Sequence, residues 1–485
     1  MKQKMLYTGL LGSLIAILSI FNSSCKKDLK EENPEQITMK EDLSAAGATL
    51  KNNQNIEVHH LKCIGGTGED DIYNVIKLRD GNYLSCGFTE SNNGDFNTGH
   101  GGIDAFLLKT DSAGNIIWKN TYGGAGDEVF YNMIETANGD ILTIGTTGSN
   151  DNWVTNHHGT PGTDDVWLVK TNSSGQLIKE RCYGGSKSES TFDFGMSEGI
   201  IIDQSGNILF AGETSSNDGD VSGNHGDYDG WLVKVNPVTF NIINSKTIGT
   251  ANYEAAYNIH EINGELFVTG TNSEAAYTTT NLENLESLGG GFAAKINPAT
   301  LNTVWYKVYG GSGSEFCNAS VITSDGNLVL AGHAASTDGD CVGNNGKFNT
   351  WTWKINVLQG NIIWKNFTGG TGDTSSIFNL TATKDGGFAG MGISVENSNP
   401  EAFVVKIDAN GNTKWKKSFG GSNLDMILGG VEKNDGDLFL GGITSSNELS
   451  GFHGGPVTNQ KFRRFPAGNR SGPKSDAWLV ELTEN

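Results

Sequence analysis

Two loops of this chain carry a pair of aspartates separated by a single glycine. Carboxylate oxygens at such a spacing suit Ca²⁺, which takes roughly six to eight oxygen ligands. Calcium is therefore a candidate cofactor, and its candidate ligands are Asp218, Asp220, Asp338 and Asp340. The competing interpretation, which we favour, is that these side chains cap their own turns, because neither loop ends in the glutamate that closes a calcium-binding loop.

Histidine and cysteine offer weaker signals. A His-Gly dipeptide recurs in four loops, at His100, His158, His225 and His453. These histidines fall in different repeats, so turn capping is favoured over a metal site. Five cysteines follow Cys25 without any Cys-x-x-Cys motif, which argues against zinc and redox chemistry. One disulfide, Cys317–Cys341, is a further hypothesis.

The one basic cluster of the sequence lies in a long loop at about residues 446–475. It holds three of the five arginines of the chain, followed by Lys474. We predict that an acidic protein or a glycan docks on Lys461, Arg463, Arg464 and Arg470. The alternative is an unselective surface loop.

Composition narrows the class of partner. The 485 residues include 34 basic and 55 acidic side chains, for a net charge of −21. Such a surface disfavours nucleic acid, which binds proteins through basic residues. Glycine is abundant, with 67 residues, but charged residues make up only 18%, which is not the composition of a disordered chain.

Self-similarity dominates the sequence from residue 56 onward. A Gly-Gly pair followed by small and acidic residues recurs about every 60 residues. Six copies are clear: Gly65-Gly66, Gly123-Gly124, Gly184-Gly185, Gly310-Gly311, Gly369-Gly370 and Gly420-Gly421. A seventh, degenerate copy is Ile248-Gly249. The acidic turns and the long polar loops belong to the same end of each repeat, so we expect one acidic face.

Each repeat predicts four short strands. Asp-Gly or Asn-Gly turns between apolar runs, such as Asn138-Gly139, are strong hairpin signals because the turn requires positive φ. An aromatic residue recurs in every third strand, and a Trp recurs in four of the fourth strands, with Lys179, Ile243 and His60 in the remaining places. Four strands repeated seven times predict an all-β, seven-bladed β-propeller whose blades stack through these aromatic rows.

The ends of the repeat region predict how the ring closes. A lone fourth-type strand at residues 56–64 precedes the first Gly-Gly pair, and the chain ends at a third-type strand beginning at Asp476. We predict that residues 56–64 complete the last blade, which removes two exposed sheet edges. The domain 56–485 is thus one seven-bladed propeller, and we expect a monomer.

The pattern GGTGEDD, DGNYLSCG and DAFLLKTDSAGNIIW resembles the bacterial seven-bladed β-propeller repeat of secreted and surface proteins. The resemblance covers about residues 56–485 and implies the fold, since propellers host unrelated activities. Sialidase propellers use dispersed arginines, which this chain lacks. Quinoprotein repeats resemble TDSAGNIIW, but those propellers usually have eight blades. A carboxylate pair for glycoside hydrolysis, assembled across blades, stays open.

Residues 1–24 have the features of an export signal. Lys2 and Lys4 precede an apolar run from Leu6 to Phe21, and small residues then lead to Cys25. This resembles the relaxed lipobox of Bacteroidetes-type lipoproteins, which implies that Cys25 is lipidated. Residues 25–55 are polar and charged and predict a flexible tether. We expect a lipid-anchored protein of the outer membrane, exposed at the cell surface.

The sequence therefore favours a non-catalytic binding or scaffolding propeller for a glycan or protein ligand. The alternative is a carbohydrate-active enzyme with carboxylates in the central funnel.

Overall fold

The computed structural model describes residues 56–191, 199–273, 289–369, 374–396, 399–453 and 474–484. Numbered along the chain, the first sixteen strands are β1 (Ile56–Ile64), β2 (Asp70–Lys77), β3 (Tyr83–Thr89), β4 (Asp104–Thr110), β5 (Ile116–Tyr122), β6 (Glu128–Glu135), β7 (Ile141–Thr147), β8 (Asp165–Thr171), β9 (Leu177–Tyr183), β10 (Glu189–Ser190), β11 (Ile200–Ile202), β12 (Ile208–Thr214), β13 (Asp229–Val235), β14 (Ile242–Ile248), β15 (Tyr253–Ile262) and β16 (Glu265–Ser273).

The remaining strands are β17 (Gly289–Ile296), β18 (Thr303–Tyr309), β19 (Glu315–Ile322), β20 (Leu328–Ala334), β21 (Asn349–Asn356), β22 (Asn361–Thr368), β23 (Thr374–Ala382), β24 (Phe388–Glu396), β25 (Asn399–Ile407), β26 (Thr413–Phe419), β27 (Asp425–Glu432), β28 (Leu438–Thr444) and β29 (Asp476–Glu484). One short 3₁₀ turn spans Gly339–Cys341. No helix in the described ranges has the length and hydropathy needed to span a bilayer.

The strands form seven antiparallel sheets, which are the blades of a propeller. Blades one and two are β2–β5 and β6–β9, and blade three joins β10 and β11 to β12–β14. Blades four, five and six are β15–β18, β19–β22 and β23–β26, and blade seven has the order β1-β29-β28-β27. The predicted seven-bladed fold is confirmed.

Ring closure follows the prediction from the chain ends. β1 pairs antiparallel with β29, from Ile56 opposite Glu484 to Ile64 opposite Ala477. The first strand of each blade contacts the preceding blade, and β2 accordingly contacts β27, β28 and β29. The N-terminal strand of the repeat region is thus the outer strand of the last blade, and no described blade lacks a neighbour on either side.

Glycine in the second strands allows each blade to bulge at its inner edge. Among the strand pairs that are described without a gap, the first strand is bulged opposite this glycine in six blades, for example between Phe130 and Asn132. A Cβ at Gly145 would lie 1.8 Å from the Val129 carbonyl oxygen, and Gly87 meets the Asp71 carbonyl at the same distance. A side chain is excluded because the two backbones are in contact, which explains part of the high glycine content.

The core consists of apolar layers between neighbouring blades. The recurring aromatic residue of the third strand is buried in all seven blades: Phe106, Trp167, Trp231, Phe292, Trp351, Phe403 and Trp478. One such layer joins Cys86 and Leu107 of blade one to Phe130 and Trp167 of blade two. The prediction that these aromatic residues are core is confirmed.

Candidate functional site

The Gly-Gly turns and the long loops lie together at one end of the blades, which we call the loop face. In blade three the amide of Asp220 donates to the Gly184 carbonyl, and in blade five the amide of Asp340 donates to Gly310. The polar connections that sequence reasoning assigned to one end are therefore in contact. Any site built from repeat residues must be sought first on this face.

The fully described Gly-Gly turns present consecutive backbone N–H groups, an arrangement that ordinarily binds anions. In blade two, Gly124 donates to Glu128 Oε2 at 2.7 Å, Ala125 to Asp151 Oδ1 at 2.8 Å, and Gly126 to Ser149 Oγ at 2.7 Å. The same three bonds recur in blades one, three, five and seven. The chain's own side chains thus occupy these anion-binding turns.

Two of the aspartates predicted to bind calcium belong to this capping set. Asp218 Oδ1 accepts the Ser186 amide, and Asp338 Oδ1 accepts the Ser312 amide, each at 2.7 Å. Asp220 lies 3.5 Å from Arg181, and Asp340 accepts the Gly310 amide at 3.4 Å.

The two Asp-x-Asp loops lie in different blades and form no joint ligand set. In the described part of the chain, no group of three or more His, Cys, Asp or Glu side chains is arranged to hold a metal. These contacts support the capping interpretation, and calcium binding stays a prediction. A melting temperature that is the same with CaCl₂ and with EDTA would remove calcium as a stabilising ligand.

The four His-Gly histidines all make the same contact. Each Nδ1 bonds the aspartate that begins the third strand of its blade, at 2.6–3.0 Å: His100–Asp104, His158–Asp165, His225–Asp229 and His453–Asp476. The backbone amide of each histidine donates to the same aspartate. In blade five both partners are replaced, and Asn349 donates to Asn345 at 2.7 Å. The histidines therefore hold their loops, as expected from turn capping.

In four copies the first glycine lies between two carboxyl groups of neighbouring blades; these glycines are Gly65, Gly123, Gly184 and Gly249. A Cβ at Gly184 would lie 2.4 Å from Glu189 Oε2 and 2.6 Å from Asp165 Oδ1. Gly249 occupies the same position between Asp229 and Glu254, so Gly249 rather than Ile248 is the first glycine of the seventh copy. The sequence places Ile243 at the position of the fourth-strand Trp, and the structure corrects this to Asn244. Asn244 lies opposite Lys234, as Trp118 lies opposite Lys109.

Burial raises the pKa of these junction carboxyl groups. The pKa of Glu189 rises to about 7, chiefly through burial, and the charge of Asp165 adds to the rise. Burial also raises the pKa of Asp425 to about 6 and that of Glu128 above its ordinary value. Glu189 and Asp425 therefore bind protons near neutral pH, but these carboxyl groups are buried between blades rather than exposed in an open cleft.

Aromatic side chains at the first-strand bulges of several blades pack together. Tyr73, Tyr131, Tyr257 and Phe378 belong to one buried cluster, and the rings of Tyr73 and Tyr131 meet edge to face at 5.2 Å. The described side chains of this cluster are apolar or aromatic and pack against one another.

Two buried acids lie near this cluster: Asp71, which the sequence assigned to the exposed acidic face, and Glu213, to which it assigned no role. Glu213 accepts a 2.6 Å hydrogen bond from Tyr253, and burial raises the pKa of Glu213 to about 8. Asp71 accepts a hydrogen bond from Ser475, and burial raises its pKa well above the ordinary value. The second strands of the other six blades have an uncharged residue at the position of Glu213. This difference is the only sequence signal that points to Glu213.

A polar groove of about 420 Å³ runs along the outer edge between blades two and three. Its wall from blade two is the fourth strand β9 with the loop that carries Asn156 and His158, and its wall from blade three is the turn at Thr239, Phe240 and Asn241. Two cationic side chains, Lys179 and Arg181, project from β9 into it. Neither was part of the predicted site.

Several predictions fall on residues outside the described ranges. These are Cys25 with the signal and tether, and the basic set Lys461, Arg463, Arg464 and Arg470. Cys317 and Cys341 are described, and both are free, buried thiols. The disulfide hypothesis is therefore wrong for this structure: the two cysteines pack as apolar side chains in the core between blades four and five.

No family model and no curated protein matches the chain. Among solved structures, it is similar to the Dos1 propeller, with 10% identity over 79% of this chain and 93% of that one, at a TM-score of 0.41. A protein from Dyadobacter fermentans has 11% identity over 74% of this chain and 98% of its own, at a TM-score of 0.39.

A quinohemoprotein alcohol dehydrogenase from Comamonas testosteroni is also similar, with 9% identity over 88% of this chain and 76% of its own, at a TM-score of 0.42. At these identities and TM-scores the likeness carries no argument about function. The assignment of seven blades rests on the strand pairing described above.

Proposed function

We propose that this chain is an exported, lipid-anchored β-propeller that binds a glycan or protein ligand without catalysis. The observation that carries the proposal is that the repeated acids and histidines bond to the chain's own turns and loops. They cap Gly-Gly turns and hold loops in blade after blade, so the chemistry that the repeats share is structural. Ligand recognition then belongs to the features that differ between repeats.

A glycan and protein array with the purified propeller tests this function. We expect specific binding to one ligand class, with loss on deletion of residues 455–472 if the basic loop docks the ligand. Unchanged binding of the deletion variant excludes that loop as the docking site. An array without any specific ligand contradicts the proposed function.

The membrane anchor is tested separately. Lipidation of Cys25 predicts labelling by a palmitate analogue and recovery in the membrane fraction. The Cys25→Ala variant should lose both, while a soluble marker protein stays in the soluble fraction throughout. Equal labelling of the variant would contradict lipidation at this residue.

A carbohydrate-active enzyme is the second candidate, and Glu213 is the observation that favours it. A carboxyl group with a pKa of about 8 is protonated at neutral pH, as a general acid must be. The test is turnover of polysaccharides by the pure protein. Activity that disappears in Glu213→Gln, with the melting temperature preserved, would support the enzyme; absence of turnover across a polysaccharide panel would count against it.

A further inference from the structure

The groove between blades two and three lies at a junction that lacks the indole found at three other junctions. In blades one, four and five, a fourth-strand Trp covers the turn glycine of the next blade. A Cβ at Gly175 would lie 2.8 Å from Trp118, and the contacts of Gly360 with Trp305 and of Gly411 with Trp364 are similar. In blade two, Lys179 occupies the fourth-strand position that Trp has in these blades, and it lies opposite Lys170.

The turn of blade three compensates for the missing indole. Phe240 stands where the turns of blades two, five and six have glycine, and it adopts a φ of +62°, which residues with a side chain rarely adopt. Blade four has a similar exchange, with Leu301 at a φ of +58°. The Phe240 side chain is fully buried and fills the inner part of the space. The outer part stays open as the groove, so the indole's apolar cover is replaced here by a polar cleft with cationic side chains.

Arg181 is held in a defined orientation inside the groove. Its guanidinium carbon lies 4.9 Å from the centre of the Tyr183 ring, and Nη1 donates to the Phe240 carbonyl at 3.2 Å and to Asn241 Oδ1 at 3.0 Å. Lys179, two residues earlier on the same face of β9, donates to the Val238 carbonyl at 2.8 Å. The two cations are therefore positioned by backbone carbonyls.

The acids near the groove leave Arg181 available to a ligand. Arg181 Nη2 lies 3.5 Å from both carboxylate oxygens of Asp220, which is long for a charge-assisted bond. Glu180 is held elsewhere, by Thr155 at 2.5 Å and by the indole N–H of Trp167 at 3.0 Å. A better-placed anion can thus replace Asp220 at the guanidinium fork.

We propose that this groove binds an acidic saccharide, whose carboxylate or sulfate pairs with Arg181 and Lys179. Planar guanidinium recognises such anions through two parallel hydrogen bonds. The amides of Asn156 and Asn241 and the hydroxyl of Thr239 line the same groove and supply donors and acceptors for sugar hydroxyls. The volume of about 420 Å³ suits a short saccharide rather than a large polymer surface. This inference rests on the proposed binding function and names a ligand class and a site for it.

Calorimetric titration of the whole chain with three probes tests the inference: an oligogalacturonate, a sulfated galactan oligosaccharide and a neutral galactan oligosaccharide. We expect binding of the carboxylated or the sulfated probe and none of the neutral one. Arg181→Gln should weaken binding about tenfold or more. Arg79→Ala, which removes the other described arginine far from the groove, is the matched control and should bind as the wild type does.

A second variant keeps the test valid if Arg181→Gln misfolds. Lys179→Trp combined with Phe240→Gly restores the Trp-over-glycine contact of the other junctions and should close the groove while preserving the melting temperature. Retained binding by a folded variant of either kind overturns the inference. Binding of none of the probes by the wild type overturns it too, whereas the proposed function falls only if the whole array is negative.

Discussion

At the scale of single residues, the blade junctions contain pairs of carboxyl groups that water does not reach. Asp165 Oδ1 and Asp229 Oδ1 are buried without a hydrogen-bond partner, although both aspartates are engaged by a histidine through the other oxygen. A Cβ added at Gly184 or Gly249 would meet this Oδ1 and also an oxygen of the facing Glu189 or Glu254. Two charged carboxylates so close in a buried place repel each other, so one of each pair binds a proton readily.

The Glu189 carboxyl makes stability depend on pH. Its folded-state pKa of about 7 exceeds its ordinary value of 4.5, so the folded state holds a proton that the unfolded state releases. The contribution of this group to the free energy of unfolding is complete below about pH 4.5 and is lost as the pH rises through 7. Between these values the native state binds more protons than the unfolded state, so stability falls as the pH rises. We expect the free energy of unfolding to fall between pH 5 and pH 8, by at most about 3 kcal/mol from this group.

Denaturant unfolding of Glu189→Gln at pH 5, 6.5 and 8 checks this expectation. Gln cannot ionise, so the variant should be less stable than the wild type at pH 5 and the difference should shrink or reverse at pH 8. Asp111→Asn is the control, since hydrogen bonds from Asn115 lower the pKa of Asp111 and place its titration below this range. A difference for Glu189→Gln that does not vary with pH contradicts the carboxyl-pair account.

At the scale of strands and turns, each blade joins its third strand to its first hairpin by an ion pair. Lys109 bonds Asp80 at 2.6 Å, and Lys354 bonds Asp325 at 2.7 Å. In blade seven the third-strand residue is Glu481, the one exception in the sequence pattern. The structure explains it, because Lys433 in the first hairpin bonds Glu481 and lies 3.4 Å from Asp435.

Blade seven should therefore tolerate a reversal of charge only when both positions change. Glu481→Lys alone places two ammonium groups together in a mostly buried site and should lower the free energy of unfolding by about 1–3 kcal/mol. Adding Lys433→Thr creates the arrangement of blade five, with Thr323 at that turn position, and lets Lys at 481 pair with Asp435. We expect the double variant to recover at least half of the loss.

Chemical denaturation of the two single variants and the double variant measures this coupling as a double-mutant cycle. Lys433→Thr serves as the matched single variant. Additive effects of the two changes would show that the exchanged ion pair is not what holds this hairpin to the third strand.

At the scale of the whole molecule, the ring depends on β1. It covers the edge of β29, and the indole N–H of Trp478 donates to His60 Nδ1 at 2.6 Å. His60 Nε2 in turn lies 2.8 Å from the Ser450 carbonyl oxygen, so β1 is bonded to the loop that precedes β29 as well. Loss of β1 leaves an unpaired edge and uncovers the apolar residues around Cys63.

Deletion of residues 56–64 should lower the melting temperature by on the order of 10 °C and promote self-association through the free edge of β29. Deletion of residues 26–55, the predicted tether, is the control and should change neither property. Thermal unfolding and light scattering measure both. A monomer with the wild-type melting temperature after deletion of 56–64 would contradict closure by this strand.

The sequence by itself determined the number of blades, the order of strands and the closure by residues 56–64. These follow from local signals, since Asp-Gly turns, apolar runs and the aromatic of the third strand each act over a few residues and recur seven times. The capping roles of Asp218, Asp338 and the four histidines were also favoured from turn chemistry alone.

Only the tertiary structure decided which residues meet across a junction. The pairings of Asp165 with Glu189 and of Lys179 with Phe240 join residues of neighbouring blades. The groove beside Arg181 lies where Lys179 and Phe240 replace the Trp and the glycine that meet at three other junctions. Because a junction is formed by two blades at once, its geometry and its pKa shifts are set by packing that no single repeat encodes.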